Sequence, residues 1–439
     1  MGQNIKKFTS TAEYDAFRST DGWAYPNVSF IETNIENQVR YNNEFIMRWS
    51  DNANNKVPTF LGDVSHEDFV AWVDSASMPC EIKKDGTGFN YLKPDDFTKT
   101  INIVNGTETG TSHYQTEDKN DYLQMAEIAN INVGLFQDSS KGTKEVRFNF
   151  DKGCPKGFHK WFAHPFWNES RGVYTKLIAR YDSAPAGENT SATSAGINVA
   201  YGESQGAWTN NNYEKGNWSS NLLHAANKAT GANILEETYW EHVVLTYIFS
   251  AYFKTFDHQS IYGGLQNGYN SGNAGQWKAG QTDTLNSHKG QLGNNMGYRF
   301  MHIENAIHGK QWIWCAGWVG NVTATTGTYW MTYDDIIANK AATMAKDDAD
   351  IYGPFLGGSG VENKFIGKID LWGNPIEAGG SSSSGFYDSV WAQNIADSRV
   401  AYVGGSSIDG LSVGGFARAF NLVASLSYWS RRGRITMNR

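Results

Sequence analysis

Cysteine is almost missing from this chain. Three residues, Cys80, Cys154 and Cys315, are spread over 439 positions, form no C-x-x-C pair and leave one over. That pattern excludes a disulfide scaffold and a thiolate zinc site, so stability must come from packing. Uninterrupted apolar sequence is also lacking: no run reaches the roughly 18 residues that suggest a membrane-spanning helix. The opening MGQNIKKFTS has two lysines with no apolar stretch behind them, and Lys6 stands where a myristoylation signal places Ser or Thr. Neither a secretory leader nor an N-terminal lipid is therefore expected. Charge is sparse, at 19% of residues, and its balance is −8. An acidic chain lacks the clustered Lys and Arg that track phosphates, so nucleic acid is not an expected partner. No P-loop and no H-E-x-x-H is present.

What is abundant is aromatic. The chain carries 16 Trp, 22 Tyr and 23 Phe, with 46 Gly against only 9 Pro. This composition points to many short strands and tight turns, with rings filling a core or coating a binding face. Three regions are expected. Residues 1–45 hold a capped helical piece at 12–17 and two short strands at 25–31 and 38–42, too little to fold alone, which reads as an attachment segment. Residues 46–154 read as a small β-rich region, with strands at 59–61, 80–83, 100–104 and 146–150 and a short helix at 66–73. Residues 155–439 read as one large domain of loops, short strands and two helices, giving an α+β class overall. The first helix is expected at 218–230. The second, at 236–253, places Trp240, Val243, Val244, Tyr247, Ile248 and Ala251 on one stripe and Glu236, Glu237 and Glu241 at a solvated, dipole-favoured start.

Several segments of this last region carry a resemblance. His164-Pro165-Phe166, Gly172-Val173-Tyr174 and Ala179-Arg180-Tyr181-Asp182-Ser183 precede Tyr239-Trp240-Glu241, then His302-Ile303-Glu304-Asn305 and Gly309-Lys310-Gln311-Trp312. Gly379-Gly380-Ser381 and Tyr387-Asp388 follow. The series closes with Val403-Gly404-Gly405-Ser406, Gly410, Gly414, Phe416, Ala424-Ser425, Trp429 and Arg434-Ile435. This order resembles the C-type-lectin-like fold shared with formylglycine-generating enzymes, and the ending resembles its phage-tail branch. The opening Phe8, Tyr14 and Pro26-Asn27-Val28-Ser29 is similar to structural proteins of phages and prophages of gut Bacteroidetes. The resemblance implies a rigid scaffold displaying a variable surface at the C-terminal end.

Catalysis finds little support. Catalytic relatives of this fold use copper and two late cysteines, whereas no cysteine follows Cys315. Lys310 replaces the Asn of the family's Gly-Asn-x-Trp turn, so no metal or other cofactor is expected. His159 and His164, five apart, and His302 and His308, six apart, do not share a helix face, and structural roles are expected for them. The glutamates at 236, 237 and 241 could serve as paired carboxylates for glycoside hydrolysis, but a solvated helix start is the simpler reading and no catalytic residue is assigned to them.

The closing segment carries a compositional signal. The chain has 24 Lys, 20 Glu and 13 Gln, so 46 residues should hold about six of them; from Asn394 to Arg439 there are none. Arginines at 399, 418, 431, 432, 434 and 439 make this end locally cationic, suited to phosphate, carboxylate or anionic sugars. Ser407, Ile408, Asp409, Leu411, Ser412, Arg418, Phe420, Leu422, Leu426, Tyr428, Ser430 and Arg431 are the expected receptor-binding residues. Diversity-generating retroelements randomise Asn codons, which cannot then encode Lys, Glu or Gln, and a chance deficit is the competing explanation. The expectation is a phage tail fibre or tip adhesin, not an enzyme, located in the virion and acting at the host cell surface. Its partners would be a host surface receptor, a glycan or outer-membrane protein, and other tail proteins held through the N-terminal segment. A homotrimer without membrane insertion is expected. Two alternatives stay open: a structural virion component such as a head fibre or decoration protein, and a capsule depolymerase.

Overall fold

A computed structural model describes residues 31–32, 43–51, 57–83, 85–113, 122–129, 131–138, 140–150, 175–181, 234–237, 239–262, 280–292, 297–309, 312–321, 329–330, 350–351, 361–370, 373–379, 381, 386–392, 398–405, 413–420 and 431–438. Together they form a β-rich α+β arrangement of four sheets around a few helices. The expected helices at 12–17 and 218–230 and the strand at 38–42 lie outside the described residues.

Local chemistry sets the elements of the first half. Helix α1 (His66–Ser75) starts because Ser65 is extended and its hydroxyl accepts the Asp68 N–H at 3.1 Å, while Glu67 and Asp68 complement the helix dipole. Phe69 and Val73, four apart, face the core. Strand Ser77–Lys83 ends where Asp85 accepts the Thr87 N–H and Gly86 takes φ 85°. The strand expected at 100–104 stops earlier, as Asp96–Ile101. Asn102 accepts the Val104 N–H and Gly106 takes φ 69°, so the chain turns and leaves Val104 90% exposed.

Two sheets combine early and late sequence. One runs Ile31–Glu32, Asn132–Asp138, Thr143–Asn149, Glu44–Ser50, Thr59–Gly62. The other runs Ile234–Glu236, Ile435–Asn438, Thr175–Ala179, Tyr122–Ala129, Ser77–Lys83, Asn90–Lys93, Asp96–Ile101, Glu108–Thr111. The boundary expected at 154/155 is therefore bridged: Thr175–Ala179 pairs antiparallel with Tyr122–Ala129, and Ile435–Asn438 with Thr175–Ala179. The reason is register. The apolar strands of the first half have unfilled edges, and the later strands occupy them. Residues 31–32, from the expected attachment segment, likewise add a parallel strand beside Phe136 and Gln137.

Helix α2 (Tyr239–Phe253) is the axis of the core. It begins after a strand, Ile234–Glu236, so Glu236 and Glu237 precede the helix. Val243, Val244, Tyr247, Ile248 and Ala251 are buried as expected, but so are Glu241, His242, Leu245, Thr246, Phe249 and Ser250. The helix is enclosed on all sides, and the solvated acidic start expected for it is not found: Glu237 and Glu241 are both fully buried. Several of its polar groups have identified partners. Thr246 and Ser250 donate to carbonyls four residues back, and His66 donates to the Ala251 and Tyr252 carbonyls at the other end. Phe249 meets Phe253, Tyr262, Tyr298 and Phe300 with ring centroids 4.6 to 6.2 Å apart, largely edge to face. Among the described residues no helix is long and apolar enough to cross a membrane.

Ion pairs with buried members hold neighbouring strands and segments together. Glu145 bridges Arg48 and Arg147, and Lys144 joins Asp51 while donating to the Ile369 carbonyl at 2.7 Å. Arg434, fully buried, donates to Glu237 at 3.2 Å and to the carbonyls of Glu304, Asn305 and Ala306 at 3.0 Å each. Removing one member of such a pair strands the other without solvent. Arg434→Met is expected to lose about 3–5 kcal/mol of stability, and Arg434→Met with Glu237→Gln to recover part of it, as read from urea midpoints.

Candidate functional site

The C-terminal end is built on the largest sheet. Its order is Asp350–Ile351, Tyr329–Trp330, Trp312–Asn321, Ser398–Val403, Arg418–Ala419, Ser389–Ala392, Val361–Ile369, Pro375–Ala378, with Arg431–Arg432 beside Trp312–Asn321. Val403 lies opposite both Ile313 and Arg418, and Trp312 lies opposite Arg431. Gly404 and Gly405, at φ 80° and 73°, carry the chain off this end. A Cβ on Gly404 would stand 2.7 Å from the Ile307 carbonyl oxygen, and one on Gly405 2.1 Å from Val413. Only glycine permits that approach. Gly405 and Val413, the described residues on either side of 406–412, are thus held against each other. The stretch 421–430 leaves after Phe420, whose N–H donates to the Trp391 carbonyl at 2.8 Å. It returns at Arg431, level with Trp312, whose ring stacks edge-on against Trp391 at 5.0 Å.

Beneath these anchors the segment Val413–Phe420 is locked inside. The Arg418 guanidinium donates to the Tyr239 hydroxyl at 2.9 Å and to the carbonyls of Gly415 and Ala417 at 2.6 and 3.0 Å. The Tyr239 hydroxyl in turn donates to Asn374 Oδ1 at 2.7 Å, and Asn374 donates to Asp370 through both its N–H and its side-chain amide. The Phe416 N–H donates to Asp388 at 2.8 Å. Gly415 is held by two imidazoles: its carbonyl accepts from His242 at 3.0 Å and its N–H donates to His258 Nδ1 at 2.9 Å. Close contact requires glycine again, since Cβ atoms at 414 and 415 would stand 2.4 Å from Asp388 and 2.5 Å from Thr246.

This interior excludes water, and its titratable groups shift accordingly. Burial pushes the Cys315 thiol, the Tyr239 and Tyr247 hydroxyls and the Asp388 carboxyl up, and the His258 imidazole down. Each shift favours the uncharged form, as desolvation requires. Such a site is suited to rigidity rather than to proton transfer with solvent. Cys80 sits in a separate core cluster from Cys315, and no group of three or more metal-ligating side chains occurs among the described residues. Cys154 lies outside the described residues.

The expected binding residues divide. Arg418 and Phe420 are both fully buried, the first as a strut to Tyr239 and the second packed in the main core, so they are corrected from surface contacts to framework. Arg434 is also interior, which removes it from the expected cationic surface. Arg431 is placed by its backbone pairing with Trp312. Ser407, Ile408, Asp409, Leu411, Ser412, Leu422, Leu426, Tyr428 and Ser430 lie outside the described residues. Of the singled-out histidines, His302 meets Ser77 at 3.1 Å, and His308 meets Tyr298 and the Tyr262 carbonyl at 3.2 and 3.0 Å. His159 and His164 lie outside the described residues. Glu304 accepts from the Thr282 N–H and hydroxyl at 3.0 and 2.9 Å, and Asn305 accepts the Tyr298 N–H, so this pair ties a loop to a strand. Tyr239, His242, His258 and Asp388 form the support that sequence reading did not assign; the signal available was the run of glycines at 414 and 415.

No protein-family model matches the chain, and no curated protein matches it at a meaningful level of similarity.

Asp388 supplies a test of this buried end. Its pKa is raised in the fold, so the folded chain keeps a proton that the unfolded chain has lost above the ordinary Asp value near 4. The wild type therefore loses stability from this group as pH rises towards the folded value. Asp388→Asn imitates the protonated form and does not titrate. Its stability relative to wild type is expected to climb by up to about 1.4 kcal/mol per pH unit from pH 4 upward. Urea denaturation at pH 4.5, 6 and 7.5 checks this, and a flat difference would contradict it.

Proposed function

We propose that the chain is a non-enzymatic phage tail adhesin whose C-terminal end has a C-type-lectin-like fold and binds a host surface receptor. The observation that carries this reading is the clamp at Gly405 and Val413, with the buried Arg418, Tyr239 and His258 contacts beneath it. A stretch fixed at both ends on an unyielding base can change its side chains without disturbing the core. That is what a variable binding surface needs, and it lowers the ordering cost of binding. The absence of Lys, Glu and Gln beyond residue 393 supports diversification of 406–412 and 421–430 by a retroelement. Virion localisation, attachment through residues 1–45 and a homotrimer belong to the same proposal. Many copies on one particle would raise modest single-site affinity through effective concentration.

Fluorescently labelled protein is expected to bind intact cells of selected gut Bacteroidetes strains. Tyr428→Ala with Arg431→Ala should weaken that binding at least tenfold while leaving the melting temperature within a degree or two. Absence of binding across the panel, or binding indifferent to both changes, would favour the structural virion role. New reducing ends released from host polysaccharide would favour a depolymerase.

A further inference from the structure

We propose that His258 is an acid-sensitive latch that holds the Val413–Ala417 segment, and through it the anchor of residues 406–412, in place only while the imidazole is neutral. The argument is one of hydrogen-bond direction. The Gly415 N–H can only donate, so His258 Nδ1, 2.9 Å away, must offer a lone pair. The proton of the neutral ring then sits on Nε2 and is given to the Ser250 hydroxyl at 2.8 Å, which passes its own to the Thr246 carbonyl. Adding a second proton places an N–H at Nδ1 directly against the N–H of Gly415. Two donors then face each other and the bond is lost.

The surroundings offer a protonated ring no relief. From α2 it meets the uncharged Ser250 and Phe249, and from the turn before Trp312 it meets His308, with ring centroids 6.4 Å apart. His308 directs its Nε2 at the Tyr262 carbonyl and its Nδ1 at the Tyr298 hydroxyl, and it brings no negative charge to His258. The 413–420 segment brings Phe416 at 5.3 Å and the permanent charge of Arg418. Asp388, bonded to the neighbouring Phe416 N–H, is pushed towards its own neutral form by burial. Asp257, next in sequence, is occupied in capping Ser260. His242 behaves differently. It donates to the Gly415 carbonyl in either state, and its other nitrogen lies 3.8 Å from Glu237, with Glu241 adjacent on the same helix turn. One half of the grip on Gly415 is thus indifferent to acid and the other half is not.

Burial lowers the His258 pKa, so the latch is intact above the ordinary histidine value near 6.5 and opens at a lower pH. Because Val413 packs on Gly405, release of Gly415 also loosens the contact between Val413 and Gly405. Only the consequence for receptor binding rests on the adhesin reading; the latch stands or falls by itself.

Hydrogen exchange followed by mass spectrometry on the full chain, corrected for intrinsic rates, tests it between pH 7.5 and 4.5. Peptides covering 413–420 should lose protection at least tenfold as pH falls, while those covering Tyr122–Ala129 keep theirs. His258→Asn retains an acceptor near the Nδ1 position and cannot titrate, so its 413–420 protection should not vary with pH. Unchanged wild-type protection down to pH 4.5, a loss shared with 122–129, or the same loss in His258→Asn would each overturn the latch. Should the variant not fold, the two wild-type regions compared within one sample still decide. Failure of cell binding at pH 7.5 would sink the adhesin reading and leave this one standing.

Discussion

A helix surrounded by protein on all sides cannot leave a polar group to water, and that constraint organises the molecule. Helix α2 carries Glu241, His242, Thr246 and Ser250 into the interior. Each such group costs free energy unless a partner is supplied; Thr246 and Ser250 find theirs one helical turn back, and His242 finds its own in distant sequence. Gly415 is 173 residues from His242, and Arg418 is 179 from Tyr239. The C-terminal sheet is consequently positioned by specific polar contacts as well as by apolar packing, and a shift of one residue in 413–418 would orphan several groups at once.

The same logic explains why five fully buried arginines among the described residues, at 147, 180, 299, 418 and 434, are tolerated. Each guanidinium has carboxylates, carbonyls or aromatic faces around it. Arg180 lies 3.6 Å over the ring of Phe97 and pairs with Asp283, as does Arg299. Planar donors that bond several carbonyls are well suited to holding irregular turns, such as 304–306 under Arg434. Apolar side chains would fill the space without fixing those turns.

Much of the first half was legible in its sequence. The short helix at 66–73 and the strands at 59–61, 80–83 and 146–150 follow from local chemistry, and the structure places them within a few residues of those bounds, as 66–75, 59–62, 77–83 and 143–149. The α2 stripe was legible too, but its polar side was not, because periodicity identifies the apolar face and says nothing of partners 170 residues away. Arg418, Phe420 and Arg434 were read as surface for the same reason: composition gives charge, not location. The connection between Tyr298–Phe300 and Ile303–Glu304 was beyond reach. Met301 and His302 both take positive φ, 52° and 62°, in a two-residue hairpin that Asn-Gly ordinarily signals. The remaining expected contacts, at 407–412 and 422–430, still rest on composition and resemblance.

Strand Ile435–Asn438 lies between Thr175–Ala179 and Ile234–Glu236, hydrogen-bonded to both. The covalent link between those two neighbours is therefore not what keeps them in register. A protease cut between residues 181 and 234 would leave two polypeptides clasped by a common strand, so a nicked molecule would travel as one particle until it was denatured.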